Sequence, residues 1–550
     1  MKCFLWHDRG LRLLCAAQPD SMDRRRERAM PSHANRREPV TTPPTFQALW
    51  DEAVRRHADR TFLVFRPDDR SAITWTYREF DEIVARVSGT LAESGVTPGS
   101  SVHIGLRNSP AFVAAWLATA RLGAWMTPVD PASTQRDITR QVGRVKPVAG
   151  LCAAARAEVY HDGADGRIPR VFELAEDETD LAPGAALMSG PPVRDPVPVV
   201  PSDRLAVMFT SGTTSEPKGV LLSQACYGQA AETMSAVIGL QARHRWYVTL
   251  PLFHANAQYY CFASAVATGA SVALTASFSA SRWVALAREL EVTHASLFAA
   301  PIRMILARHP ADQPPAVLEH VWFAQNLSPD HHAAFAKLTG IAPRQLYGMT
   351  ETVAIVTADL TETPLHDVIG QPIGGRRVRL EDPVTGEDSE PGVPGQLLVR
   401  GTPGIDLFHG YLDNEAATRK VLRPDGEAAW FATGDLVTAD QHGTLRFVGR
   451  IDDVIKVSGE NVSLAEVEAT LTRAPGVFEI AVIAQPDPVY DQVPIAYVVP
   501  QNTAQPPQPD ELDAWAVRHL TPAARPRAWH FIDELPRTSV GKVRRFQVGR

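Results

Sequence analysis

Met208-Phe209-Thr210-Ser211-Gly212-Thr213-Thr214-Ser215-Glu216-Pro217-Lys218-Gly219 is the stretch that decides the fold of this chain. Leu205-Ala206-Val207 before it and Val220-Leu221-Leu222 after it are apolar runs of strand length. Between Thr210 and Lys218 there are hydroxyls and glycine but no apolar residue to anchor a core. Such a loop turns backbone N–H groups, hydroxyl donors and one cation toward a single space, which is what a polyphosphate requires. A plain Ser/Thr/Gly hairpin needs neither the stiffness of Pro217 nor the charge of Lys218. The Gly-Lys-Ser/Thr ending of a Walker A loop is missing, because Lys218 is followed by Gly219.

Outward from the loop, the totals narrow the class. A chain of 550 residues exceeds one compact core, and 45% apolar with 21% charged residues is ordinary globular composition. A formal net charge of −7 offers no basic surface for nucleic acid. No apolar run approaches the roughly 18 residues needed to span a bilayer. Cys3, Cys15, Cys152, Cys226 and Cys261 form no CxxC pair, which implies a reduced, cytoplasmic protein with incidental thiols. His331-His332 and the scattered histidines lack metal-ligand spacing.

Residues 1–44 read as a detachable, disordered arm: Cys3-Phe4-Leu5-Trp6 is too short for a signal core, and Thr41-Thr42-Pro43-Pro44 reads as a linker. Met22 and Met30 are alternative starts. Phe46, Leu49, Trp50, Ala53 and Val54 predict an amphipathic helix. Thr76-Tyr77-Arg78-Glu79 is a capping box whose helix stops at Gly95, and Ser109-Pro110 opens another helix. Strand-like Thr61–Phe65 and Val102–Leu106 alternate with these helices, so the chain is α/β, with a large N-terminal domain of parallel-type sheets. Residues 381–395, rich in Gly, Pro and acid, predict a hairpin-rich β subdomain, and Thr433-Gly434-Asp435 falls between β-like segments. Gly449 to Asn461 is polar and turn-prone and divides the large domain, 45–449, from a small α+β unit, 450–550. A helix near Glu466–Leu471 and strands at Glu479–Ala484 and Ile495–Val499 fill that unit.

The loop resembles the signature Thr-Ser-Gly-Thr-Thr-Gly-x-Pro-Lys-Gly of the acyl-CoA synthetase, adenylation-domain and luciferase superfamily, with Ser215 in place of a glycine. Five further motifs follow in that superfamily's order: His254 after Leu252-Phe253, Tyr347-Gly348-Met349-Thr350-Glu351, Thr433-Gly434-Asp435, Gly449 to Glu460, and Pro536-Arg537-Thr538-Ser539-Val540-Gly541-Lys542. Gly410-Tyr411 with Glu415-Ala416-Ala417-Thr418 fits a weaker block. The resemblance runs over residues 45–550 and implies a mobile C-terminal lid.

It also implies roles. Thr210, Ser211, Gly212, Thr213, Thr214 and Lys218 would hold the β- and γ-phosphates of ATP, Thr350 the α-phosphate, and Glu351 a Mg²⁺ ion. Tyr347 would stack on adenine, while Asp435, helped by Arg450, would accept the ribose hydroxyls. Lys542 would bridge carboxylate and α-phosphate, and His254 would gate the acyl pocket. Gly459 and Glu460 would line the path of coenzyme A.

The reaction so implied is AMP-forming ligation of a small carboxylic acid to coenzyme A, with a homodimer open. The variant loop together with Asn326-Leu327-Ser328 and Tyr347–Thr352 looks closest to crotonobetaine/carnitine–CoA ligases. Yet Asn256, Tyr259 and Tyr260, after His254, supply no acid to cage a quaternary ammonium. Ala324-Gln325-Asn326 replaces the usual Gly-Gly-Ala turn, which favours a small, polar or aromatic acid over a long fatty chain. Transfer to an amine or a carrier-protein thiol, or activation of nitrite in diazo formation, stays open. So does a non-catalytic nucleotide-binding regulator, against which the presence of Glu351 and Lys542 counts.

Overall fold

The computed structural model describes residues 43–210, 217–310, 312–457, 460–537 and 543–549. The expected arm therefore lies outside the described residues up to position 42. Pro43 is already buried, and the Thr45 hydroxyl caps helix Phe46–His57 by accepting from the Ala48 N–H at 3.1 Å. Phe46, Trp50 and Ala53 form that helix's inner stripe, with Trp50 edge-on to Phe62 at 4.9 Å. The capping box at Thr76 and Glu79 starts helix Tyr77–Glu93, and Ser109 caps helix Pro110–Arg121.

Among the described residues the strands make four sheets. A nine-stranded sheet has a parallel centre of Arg344–Tyr347, His320–Ala324, His294–Phe298, Arg245–Val248, Ser271–Thr275 and Thr61–Arg66. A seven-stranded sheet runs parallel from Arg170–Leu174 to Arg204–Thr210, then turns antiparallel through Lys218–Ser223 and Gly410–Tyr411. Both sheets thus have the parallel centres that the helix–strand alternation predicts, with antiparallel outer strands; Ile73–Thr76 and Lys218–Ser223 enter by short connections, which only antiparallel pairing allows. The β subdomain is a five-stranded antiparallel sheet built on Gly395–Gly401 and Ala428–Ala439.

One apolar core joins both large sheets to the β subdomain. The C-terminal residues have their own, from Ile455, Val467, Leu471, Val482, Val498 and Leu512. Gly449 to Asn461 is more regular than its polarity suggests: strand Leu445–Arg450, a single 3₁₀ turn Ile451–Asp453, and the paired strands Val454–Val457 and Glu460–Ser463. Cys152, Cys226 and Cys261 are buried and unbridged, and burial pushes the first two thiols up to about 12 and about 11. No helix among the described residues is long and apolar enough to cross a membrane.

The parallel register also aligns a histidine row at the amino ends of three strands. His294 lies 4.5 Å from His244 and 5.8 Å from His320, ring to ring, and His320 meets Trp322 edge-on at 4.3 Å. Burial pushes His294 and His320 down to about 3. Both are neutral in the fold at pH 5, whereas the unfolded chain protonates them below about pH 6.5. Their contribution is therefore complete above that pH and is lost as pH falls toward 3. His320→Phe keeps a ring on Trp322 and should release about one proton fewer on folding across pH 6 to 4. The urea midpoint of this variant should fall less steeply with acid than that of the parent; equal slopes would remove His320 from the acid limb.

Candidate functional site

In open α/β folds ligands usually bind beyond the carboxyl ends of the parallel strands. Asn108, just beyond strand Ser101–Gly105, ties the two large sheets together. Its Nδ2 donates to the Leu250 carbonyl at 3.1 Å, and its Oδ1 accepts from the Leu252 N–H at 2.8 Å. His254 follows that bridge at the start of a π-helical stretch, Asn256–Ala263, rather than at a strand end, because strand Arg245–Val248 has already stopped. Its ring packs on Phe253 at 4.4 Å.

Strand Arg344–Tyr347 delivers the next residues. Thr350–Thr352 is one 3₁₀ turn, stitched by the Met349 N–H donating to the Thr352 hydroxyl at 3.0 Å. Val353 then adopts φ 65° and ψ −67°, a γ-turn closed by the Ala354 N–H on the Thr352 carbonyl at 2.7 Å. A buried β-branched residue at positive φ is strained, by about 1–3 kcal/mol, and persists because its surroundings dictate it. Here they do. Arg376 donates to the Thr352 carbonyl at 2.7 Å and the Phe408 N–H to the Glu351 carbonyl at 2.8 Å. Gly348 has no room for a side chain, since a Cβ would lie 2.8 Å from the Tyr260 hydroxyl.

Two carboxylates flank this turn. Asp435 and Thr433 sit inside strand Ala428–Ala439, not between strands: the residues 433–435 bulge opposite Leu397, where the register shifts. The Thr433 hydroxyl donates to the Leu397 carbonyl at 2.8 Å and accepts from the Asp435 N–H at 3.0 Å, so the bulge re-aims Asp435. Gly434, at φ 77°, lets the Arg450 guanidinium pass where a Cβ would lie 3.1 Å from Nη2. The Tyr347 hydroxyl donates to Asp435 Oδ2 at 2.5 Å, and Arg450 Nη1 lies 3.1 Å from Oδ1. Burial pushes the Tyr347 phenol well up, and Asp435 reinforces this, so it remains a donor. Burial works against the Arg450 charge, but Asp435 and Tyr347 outweigh it and hold the guanidinium protonated.

Glu351, 6% exposed, is the second carboxylate. The Tyr411 hydroxyl donates to its Oε1 at 3.1 Å, and the Lys218 ammonium stands 5.1 Å from the centre of the Tyr411 ring. Burial pushes the Glu351 carboxyl up, opposed by its hydrogen bonds and by the Lys218 and Arg450 charges. A nucleotide-bound Mg²⁺ takes one or two carboxylates from a protein and fills its other positions with phosphate oxygens and water. Glu351, with a cation rather than a second acid beside it, fits that demand.

Thr210 pairs with Lys218 across the hairpin, its hydroxyl 3.4 Å from the Lys218 carbonyl. Arg144 grips the base of the loop through the carbonyls of Pro217, at 3.0 Å, and Leu412, at 2.6 Å. Ser211, Gly212, Thr213, Thr214, Gly459 and Lys542 lie outside the described residues; Glu460 is exposed at the head of its strand. The structure thus brings together Lys218, Tyr411 and Glu351, and separately Tyr347, Asp435 and Arg450. Asn108, Arg144 and Arg376 carry no motif, and Tyr411 had only the weak Gly-Tyr signal. Removing the Glu351 charge in Glu351→Gln should weaken Mg²⁺-dependent use of ATP by roughly 10- to 100-fold and leave the fold intact. Parent activity at limiting as well as saturating Mg²⁺ would make the residue structural.

Residues 50–412 match the AMP-binding enzyme family and residues 466–542 the AMP-binding enzyme C-terminal domain. A crotonobetaine/carnitine–CoA ligase of Proteus mirabilis is 26% identical over 507 residues, covering 90% of this chain and 97% of the relative. A 2-succinylbenzoate–CoA ligase of Bacillus licheniformis is 29% identical over 465 residues, covering 84% and 92%. The fold superposes on a benzoate–CoA ligase from Burkholderia xenovorans LB400 with a TM-score of 0.80 at 22% identity, covering 92% of this chain and 100% of that one.

Proposed function

The chain belongs to the AMP-binding enzyme family as an AMP-forming ligase, and from that premise we propose that it joins a small, polar or aromatic carboxylic acid to coenzyme A through an acyl-adenylate. The observation that carries this reading is that the short segment Tyr347–Glu351 contributes to two polar clusters, one at each end. Asp435, backed by Tyr347 and Arg450, suits a sugar; Glu351 and Lys218 suit a metal-bound polyphosphate. A nucleotide has those two ends.

A carboxylate is a poor electrophile because it would have to expel oxide. Attack on the α-phosphorus of ATP makes that oxygen part of an AMP leaving group and releases pyrophosphate. Negative charge gathers on the phosphate oxygens, so positioning and fixed charges provide the catalysis. Thr210–Gly219 and Thr350 hold the phosphates, Lys542 bridges carboxylate and α-phosphate, and His254 stands at the acyl pocket. Mg²⁺ on Glu351 would neutralise phosphate charge. Residues 45–449 hold ATP and the acid; residues 450–550, with Gly459 and Glu460, form the lid that admits coenzyme A.

The pocket favours a polar acid. Asn256 donates to the Ser296 hydroxyl at 2.9 Å, but its Oδ1 and the Tyr259 hydroxyl are buried without a partner among the described residues. Leaving such atoms unpaired costs about 1–3 kcal/mol each, which a substrate hydroxyl or amine would recover. Asn326 and Gln345 pair their amides at 2.8 Å, stiffening the turn that replaces Gly-Gly-Ala. With no carboxylate from His254 to Tyr260, a quaternary ammonium finds no counter-charge there. Pyrophosphate exchange across an acid panel tests this. The expected optimum is a hydroxylated or amino-bearing small acid; an optimum at palmitate or at crotonobetaine would overturn the assignment of substrate class.

A further inference from the structure

We propose that Tyr411 is the positioning residue that joins the phosphate loop to the metal ligand, its hydroxyl fixing Glu351 and its ring fixing Lys218. This rests on the reading of Glu351 and Lys218 as the groups that meet Mg²⁺·ATP. The two belong to different sheets: Lys218 opens the outgoing strand of the seven-stranded sheet, and Glu351 follows a strand of the nine-stranded one. Among the described residues, no hydrogen bond or ion pair joins their side chains directly. Tyr411 touches both. Its hydroxyl donates to Glu351 Oε1 at 3.1 Å, and its ring lies 5.1 Å from the Lys218 ammonium.

Tyr411 is itself rigid, which a positioning residue must be. It is 7% exposed, its strand pairs with Lys218–Ser223 through Tyr411 and Val220, and its ring packs 4.8 Å from Phe408. Phe408 in turn donates its N–H to the Glu351 carbonyl, so one short segment holds the glutamate by both backbone and side chain. Leu412 donates to the Gly219 carbonyl at 2.8 Å, which holds the loop's outgoing strand against the same segment. A hydroxyl on one oxygen leaves the other oxygen of Glu351 aimed by default, and a ring face beneath Lys218 keeps a flexible cation near the phosphates.

The two contacts separate by substitution. Tyr411→Phe removes the hydroxyl and keeps the ring; Tyr411→Leu removes both. Binding of Mn²⁺ to the enzyme–ATP complex, followed by electron paramagnetic resonance, and of metal-free ATP, followed by calorimetry, reads them without turnover. Tyr411→Phe should weaken Mn²⁺ retention roughly 10- to 100-fold, the usual effect of losing a metal ligand's support, while metal-free ATP binds as in the parent. Tyr411→Leu should also weaken metal-free ATP. In Glu351→Ala the Phe substitution should have no further effect, because the oxygen its hydroxyl fixes is gone. Parent-like Mn²⁺ retention in Tyr411→Phe, or a full additional loss in the double variant, overturns the proposal while the nucleotide site stands. Should the parent itself bind neither ATP nor Mn²⁺·ATP, the reading of Glu351 and Lys218 falls and the proposal with it.

Discussion

Lys542→Ala is expected to lower acyl-adenylate formation by roughly 10²- to 10³-fold, the usual consequence of removing one preorganised contact to developing charge. Thioester formation from a supplied acyl-adenylate should survive in the same variant. Lys542 lies outside the described residues; those on either side of it are described. Arg537 and Val543 pair as an isolated antiparallel bridge, and the Arg544 N–H donates to the Pro536 carbonyl at 2.7 Å. Arg545 Nη1 reaches Asp453 at 2.7 Å, and its Nε reaches Glu468 at 3.1 Å. Arg537 pairs with Glu479, which also accepts from Arg303 of helix Ala299–Arg308 at 3.2 Å. Arg537 and Arg545 are therefore fastened to residues of the small C-terminal unit, and Glu479 also meets Arg303 of the large one. Rapid-quench measurement of each half-reaction is the check. Equal losses in both would mean that Lys542 is not specific to the first.

Asp452→Pro has the opposite profile. By resemblance, Lys542 serves the first half-reaction and Gly459-Glu460 the second, although both belong to residues 450–550. One unit can offer two faces to a fixed site only by turning about a short connection. We place that connection at Ile451–Asp453, one 3₁₀ turn between strands Leu445–Arg450 and Val454–Val457. Proline at 452 fixes φ near −65° and restricts Ile451 before it. Pyrophosphate exchange should stay within about threefold of the parent, while thioester formation falls by roughly two orders of magnitude. Parallel losses in stopped-flow traces of the two steps would indicate damage to folding. An undisturbed second step would remove the turn from the mechanism.

What the sequence disclosed was local. The capping box at Thr76, the Ser109-Pro110 start and the loop strands at Leu205 and Val220 depend on neighbours within a few residues, so periodicity and turn chemistry reach them. Candidate site residues were also visible, since the polar run between the strands at Leu205 and Val220 offers no apolar residue to a core. Pairings across the chain were not. Tyr347 meets Asp435, 88 positions away, and Tyr411 meets Glu351, 60 positions away. Nothing in either segment's spacing encodes that register. The Thr433–Asp435 bulge resembled a break between strands because a bulge and a turn use the same small polar residues. Polarity likewise disguised the strands within Gly449 to Asn461. The histidine row at His244, His294 and His320 exists only through strand alignment.

The proposed activity is tested most directly by incubating the protein with ATP, Mg²⁺, coenzyme A and a panel of acids, and counting AMP and acyl thioester by mass spectrometry. The expected result is acid-dependent AMP release matched one-for-one by an acyl-CoA, with a small polar or aromatic acid preferred. AMP released with no thioester, while an amine or a carrier-protein thiol takes up the acyl group, would contradict it.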